Sequence, residues 1–172
     1  METERAERDL RGQMANRALL YRDLLVTLAE EIGQDRAETV LARAIYRRGE
    51  AIGQQFRPFA PDDFAGLRDA FLAIVPGGTD LFAPEVRRCD EGGLEVKFGG
   101  CPLKEAWLAA GLPDSEVVTL CRIAGTVDLG TFEAAGFAIE NRTWQPGRDG
   151  CCHLVISARS ATPASPASGD GA

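Results

Sequence analysis

No stretch of this chain approaches the roughly 18 uninterrupted apolar residues that a membrane-spanning helix needs, so no membrane partner is expected. The opening residues METERAERDL mix acid and base without an apolar run, which argues against a secretory signal and makes the cytoplasm the expected compartment. Histidine occurs once, at His153, no CxxC pair is present, and no internal repeat is visible. Arg43, Arg47 and Arg48 read as a solvated helix face with Tyr46 the single aromatic among them, short of the interleaved run on which bases would stack, and the net charge of −7 disfavours a phosphate backbone. No nucleic acid is expected.

What remains is the composition of one ordinary globular domain. At 172 residues, 45% hydrophobic and 26% charged, the chain can bury a core without disulfides. Residues 1–12 read as a mobile polar lead, 13–159 as a single domain, and 160–172, rich in Ser, Pro, Ala and Gly, as a disordered tail with little apolar area to bury.

The cysteines are unevenly placed. None lies in the first 88 residues, whereas Cys89, Cys101, Cys121, Cys151 and Cys152 all fall in the second half together with His153. An odd set in a reducing compartment argues against a disulfide framework.

The N-terminal half has helical spacing. Leu20, Leu24, Leu28 and Ile32 recur every fourth residue, with Gly33 as the stop. Asp35 is a potential N-cap for a second helix carrying Ala37, Val40, Leu41, Ala44, Ile45 and Ile52. A third begins near Pro61-Asp62-Asp63, aligns Phe64, Leu67, Phe71 and Leu72, and ends before Pro76-Gly77-Gly78. From Glu85 the period changes to two. Val86–Cys89, a turn at 90–93, and Leu94, Val96 and Phe98 alternating with Glu95 and Lys97 make a hairpin. A short helix follows Cys101-Pro102, another opens at Pro113-Asp114-Ser115-Glu116, and a second hairpin pairs 137–144 with 151–158. The expected fold is α+β, with N-terminal helices packed on one face of a small antiparallel sheet built from two hairpins.

Three chemistries compete for the thiols. Two or three thiolates with Asp128 or His153 could hold zinc or another metal and activate water, the fullest ligand set being Cys101, Cys121, Cys151, Cys152 and His153. A single thiolate could attack an electrophilic carbon while Asp128 or His153 moves protons. Cys101 is placed for that role, because a cysteine entering a helix at Gly-Gly-Cys-Pro sits where the helix N-terminus lowers a thiol pKa. Alternatively the thiols are simply small apolar residues. Strand alternation sends Cys151 and His153 one way and Cys152 the other, with Leu154 and Ile156 toward the helices. Asp128 is either a cap for the 130–133 turn or part of the site. A helix running unbroken from Ser115 would put Asp128 on the same face as Cys121. Trp107 and Trp144 read as packing residues, and Glu140 and Arg142 as a solvated strand face.

In order along the chain, Lys97-Phe98-Gly99-Gly100-Cys101-Pro102-Leu103, Leu120-Cys121 with Asp128, and Gly150-Cys151-Cys152-His153-Leu154 resemble the family named for L-2-amino-thiazoline-4-carboxylic acid hydrolase. The helical segment Tyr21 to Gly49 fits that family's lead, and the resemblance covers most of residues 15–158. It implies a small-molecule substrate and hydrolytic opening of a C–N bond in a cyclic amidine or isothiourea, in the named case a thiazoline yielding an N-carbamoyl cysteine. Mapped here it implies Cys101, Cys121, Asp128 and Cys151 or Cys152 around the site; the catalytic set expected from their chemistry is Cys101, Cys121, Asp128 and Cys152, with Asp128 as base toward water or a thiolate as nucleophile or metal ligand. A likeness in architecture to vinyl-reductase-type small-molecule-binding domains implies instead a non-catalytic metal or ligand sensor. A third reading is an accessory protein docking through Phe56, Phe59 and Phe64.

Overall fold

The computed structural model describes residues 2–159, so the tail expected at 160–172 lies outside the described residues. Helix α1 runs Glu2–Ile32 and α2 Gln34–Gly53, followed by a 3-10 turn over Gln54–Phe59. Helices α3 (Phe64–Ile74) and α4 (Gly78–Phe82) precede the hairpin β1 (Pro84–Asp90) and β2 (Gly93–Phe98). Helices α5 (Pro102–Ala109), α6 (Asp114–Ala124) and α7 (Thr126–Ala135) then lead to β3 (Phe137–Arg142) and β4 (His153–Ala158). The four strands form one antiparallel sheet in the order β1-β2-β4-β3. This is the expected α+β arrangement of helices over two hairpins, joined through β2 and β4.

Alternation in the sheet sorts its two faces. Leu94, Val96 and Phe98 of β2 and Leu154 and Ile156 of β4 are buried, and their register places Val96 beside Leu154 and Leu94 beside Ile156. Glu140 and Arg142 on β3 stay exposed and pair with each other, Arg142 Nε donating to Glu140 Oε1 at 2.8 Å. On the helical side Phe71 packs edge-on against Phe56, Phe98 and Phe132, with ring centroids 6.2, 6.4 and 5.1 Å apart. Phe56 and Phe64 are core residues and Phe59 is partly buried, so the docking surface imagined on them does not exist.

The inward face of α1 differs from the expected one. Leu20, Leu24 and Ile32 are exposed, and Met14, Ala18 and Leu25 are buried instead. The reason is close packing: Ala18 lies under α5, where the buried Trp107 donates Nε1–H to its carbonyl at 2.7 Å. A four-residue leucine stripe is a weaker constraint than a small residue that lets a neighbouring helix approach. The stretch 1–12, read as a polar lead, supplies the first turns of α1 from Glu2 onward. Gly33 separates α1 from α2 at φ 81°, as expected, and occupies the cap position itself, leaving Asp35 in the first turn. Asp63 does cap α3, its carboxylate accepting from the Gly66 amide at 2.9 Å.

Helices α2 and α7 approach until their backbones touch. A Cβ at Gly49 would overlap the Val127 carbonyl, one at Gly53 the Thr131 carbonyl, and one at Gly130 the Tyr46 carbonyl. Hydroxyls use the proximity: Thr126 Oγ1 donates to Ala42 O at 3.0 Å, and Tyr46 donates to Glu133 Oε2 at 2.6 Å. That hydrogen bond, followed by burial, pushes the Tyr46 phenol up to about 12. Helix α7 is thereby held from two sides, by α2 and by the sheet. Among the described residues no helix is long and apolar enough to cross a membrane.

Candidate active site

Gly125 ends α6 and α7 begins one residue later, so the segment from Ser115 past Thr126, which a single helix could have spanned, is two helices. Asp128 consequently lies in the first turn of α7 and caps no later turn. Its amide donates to the Gly125 carbonyl at 3.2 Å, which fixes the backbone of that first turn. Despite the break, Cys121 on α6 and Asp128 on α7 open into the same cavity of about 260 Å³. That volume lies just under the roughly 300 Å³ at which ordinary ligand pockets begin, a size suited to a small ring. One wall is apolar, contributed by Ile74, Val75, Pro76 and Phe82 around the α3–α4 link. The lining also carries Cys101, Cys121, Cys151, Cys152 and Asp128, and the exposed Arg17 joins it from α1.

Asp128 is the chemically distinctive group. Burial raises its pKa from 3.8 to about 7, opposed by a hydrogen bond from Asn141 Nδ2 to Oδ2 at 3.0 Å. A carboxyl group with this pKa can exchange a proton in either direction near neutrality, as general acid–base catalysis requires. Asn141 also donates to the Gly125 carbonyl at 3.1 Å, so one amide ties the helix junction and the carboxylate to β3.

The thiols are set the other way. Cys101 sits at the N-cap of α5 as expected, and the amides of Lys104 and Leu103 do favour its thiolate. Its pKa nonetheless moves up, because the hydrogen bond with Cys151, burial and the charge of a neighbouring thiolate together outweigh those amides. Burial, then proximity to Cys101, pushes Cys121 up to about 12. For Cys151 the hydrogen bond from Cys101 acts downward, but Cys152 and burial carry the net shift upward. The cluster therefore holds its protons at neutral pH, and the expectation of an activated Cys101 is corrected. In the native protein at pH 7, Cys101, Cys121 and Cys151 are expected to react slowly with a disulfide reagent, while the unfolded chain releases all five thiols at once. Timed labelling with mass mapping checks this, and rapid modification of Cys101 would contradict it.

Strand alternation misplaced one cysteine. Strand β4 begins only at His153, after Gly150 turns the chain at φ 73°, so Cys151 and Cys152 precede the regular pleat. Both line the cavity, with their sulfurs 3.6 Å apart, and Cys151 is the more buried. Backbone bonds from Cys151 N to Phe98 O and from Phe98 N to Cys152 O, each 2.9 Å, fix them against β2. His153 faces away. Its Nε2 lies 3.3 Å from Glu95 Oε2 on the outer face of the sheet. The set Cys101, Cys121, Cys151, Cys152 and His153 is thus not assembled. Among the described residues no group of three or more His, Cys, Asp or Glu side chains is arranged to hold a metal ion, zinc included. Cys89 is remote from the cavity, its thiol directed at the Phe64 carbonyl at 3.6 Å.

Arg17 and Asn141 escaped the sequence reading. Arg17 lies in the charged first half of α1, where nothing sets it apart from Arg8 or Arg11. Asn141 did carry a signal: it falls on the inward phase between Glu140 and Arg142, where strand alternation calls for an apolar residue.

Comparison with known proteins supplies two findings. The family model described as L-2-amino-thiazoline-4-carboxylic acid hydrolase matches residues 13–155. Isonocardicin synthase of Nocardia uniformis subsp. tsuyamanensis is similar at 38% identity over 78 residues, which is 42% of this chain. The chain spans only about a quarter of that relative's length, the matched part being 26% of it.

Proposed function

The chain belongs to the L-2-amino-thiazoline-4-carboxylic acid hydrolase family, and from that premise we propose that it hydrolyses a small cyclic amidine or isothiourea, with Asp128 as the general base. The observation that carries this reading is a carboxyl group raised by burial to a pKa of about 7 on the wall of a small, half-open cavity. Asp128 in its ionised form takes a proton from water as the oxygen adds to the amidine carbon, giving a tetrahedral centre. It then returns the proton to the ring atom that leaves. In a cyclic amidine that atom is nitrogen, and the C–N bond opens to an amide and a free amine. In a 2-aminothiazoline, loss of ring nitrogen yields an S-carbamoyl amine, whereas loss of ring sulfur yields an N-carbamoyl thiol. Both products contain the substrate plus one water.

The protonated thiols of Cys101, Cys121 and Cys151, with Cys152 beside them, serve in this reading as a soft, weakly polar wall for the ring. The exposed guanidinium of Arg17 suits a substrate carboxylate. The test is incubation of the purified protein with 2-amino-thiazoline-4-carboxylate and with a cyclic amidine carboxylate, followed by mass analysis and separate assays for free thiol and free amine. A product one water heavier is expected. No turnover of either class would overturn the reading.

A further inference from the structure

The side-chain amide of Asn141 meets two acceptors and no donor. Its Nδ2 donates to Asp128 Oδ2 at 3.0 Å and to the Gly125 carbonyl at 3.1 Å, while its Oδ1 is buried with no hydrogen-bond partner among the described residues. Leaving a buried carbonyl oxygen unpaired forfeits its hydration with nothing in return. The alternative is worse, because turning the amide over would set Oδ1 against the Gly125 carbonyl and the Asp128 carboxylate together. The two acceptors hold the amide in one orientation.

We propose that Asn141 is a positioning residue for the hydrolysis: it engages Asp128 through Oδ2 and thereby makes Oδ1 the oxygen that exchanges a proton with the attacking water. The inference rests on Asp128 being the base. A carboxylate that accepts from Nδ2 keeps that lone pair occupied, so its proton goes to the other oxygen. The same bond favours the ionised form, opposing burial. It also couples the carboxylate to β3 across the helix junction, on the inward side of the strand where Asn141 pairs with Leu154. The other titratable and charged groups around the cavity are Arg17 from α1, Cys121 from α6, Cys101 at the start of α5, and Cys151 and Cys152 before β4. On α7 itself, Glu133 is occupied by Tyr46, and on β3 Glu140 and Arg142 pair with each other on the outer face.

The test is carboxyl-carbon NMR on labelled protein, with the Asp128 resonance assigned by its loss in Asp128→Asn. In Asn141→Leu the Asp128 titration midpoint is expected to rise by about one unit. The value of kcat/KM is then expected to fall about tenfold at pH 6 and little at pH 9, as the base is recovered by deprotonation. A midpoint that stays in place, or a loss of activity equal at both pH values, would overturn the proposal in favour of a purely structural role. If Asn141→Leu does not fold, the wild-type Asn141 side-chain amide resonances decide the matter: they are expected to titrate with the Asp128 midpoint, and their indifference to it overturns the proposal. An unmoved midpoint does so whether or not substrate is turned over. Absence of turnover in the wild type, with the midpoint still moving, overturns only the hydrolase reading.

Discussion

Asp128→Asn is expected to lower kcat/KM by about 10²–10⁴-fold, the usual contribution of a positioned acid–base group, and at the same time to make the protein more stable at pH 8. The second effect follows from linkage. The folded-state pKa is raised, from 3.8 to about 7, so the folded chain binds more protons than the unfolded one between those values. Below about pH 4 both states carry the protonated acid and no penalty exists. As pH rises toward 7 the unfolded chain ionises while the folded one resists, and stability declines; above 7 both are ionised and the penalty is complete. At about 1.36 kcal/mol per unit the loss is on the order of 4 kcal/mol. Asparagine occupies the same space, can still accept from Asn141, and carries no charge to bury. Melting temperatures of the two proteins are therefore expected to agree near pH 4 and to separate at pH 8, with the variant higher. Turnover that survives the substitution would remove Asp128 from the reaction. A stability difference that ignores pH would show that its carboxyl group is not buried as described.

Gly53→Ala is expected to destabilise the fold by about 1–3 kcal/mol, even though alanine is the better helix former. Gly53 and Gly49 lie within α2, where helix propensity alone favours alanine by roughly 1 kcal/mol. The added methyl at position 53 would overlap the backbone carbonyl of Thr131 rather than the end of a flexible side chain, so the two helices must part. Gly12→Ala is the control. Gly12 lies in α1 with nothing within 4 Å of where a Cβ would stand, and its replacement is expected to stabilise by about 0.5–1 kcal/mol. Opposite signs in urea unfolding for two identical substitutions would isolate the helix contact; equal signs would refute it. Because Asp128 rides on α7, Gly53→Ala is also expected to reduce turnover in the molecules that remain folded, since displacements near 1 Å can cost about 100-fold.

The alternation of Leu94, Val96 and Phe98 with Glu95 and Lys97 was enough to place β2, because a half-buried strand writes its two faces directly into the sequence. Phe64, Leu67 and Phe71 did the same for α3, which starts beside Pro61-Asp62-Asp63 as expected. The face of α1 was not legible. Its partner helix, α5, lies almost ninety positions away in sequence, and the contact turns on Ala18, which carries no hydrophobic signal of its own. The cavity could be read in outline, since Cys101, Cys121, Asp128 and the Cys151–Cys152 pair do converge. The state of the thiols could not. A helix N-terminus is visible at Cys101-Pro102, but the hydrogen bond that Cys101 donates to Cys151, which outweighs it, depends on a turn fifty residues downstream. His153 was drawn into the site by its adjacency to two cysteines, whereas the pleat that starts at that residue turns it outward toward Glu95.

The contact between α2 and α7 also determines where this protein can acquire new substrates. Gly49, Gly53 and Gly130 carry no side chain that could be trimmed to let the two helices shift, so their contact holds α7, and Asp128 with it, in one place. The end of α3 instead lines the cavity with ordinary aliphatic bulk, Ile74, Val75 and Pro76, which substitution can enlarge or reduce. Ring size can therefore drift through that short segment while the helix contact that carries the acid is inherited unchanged.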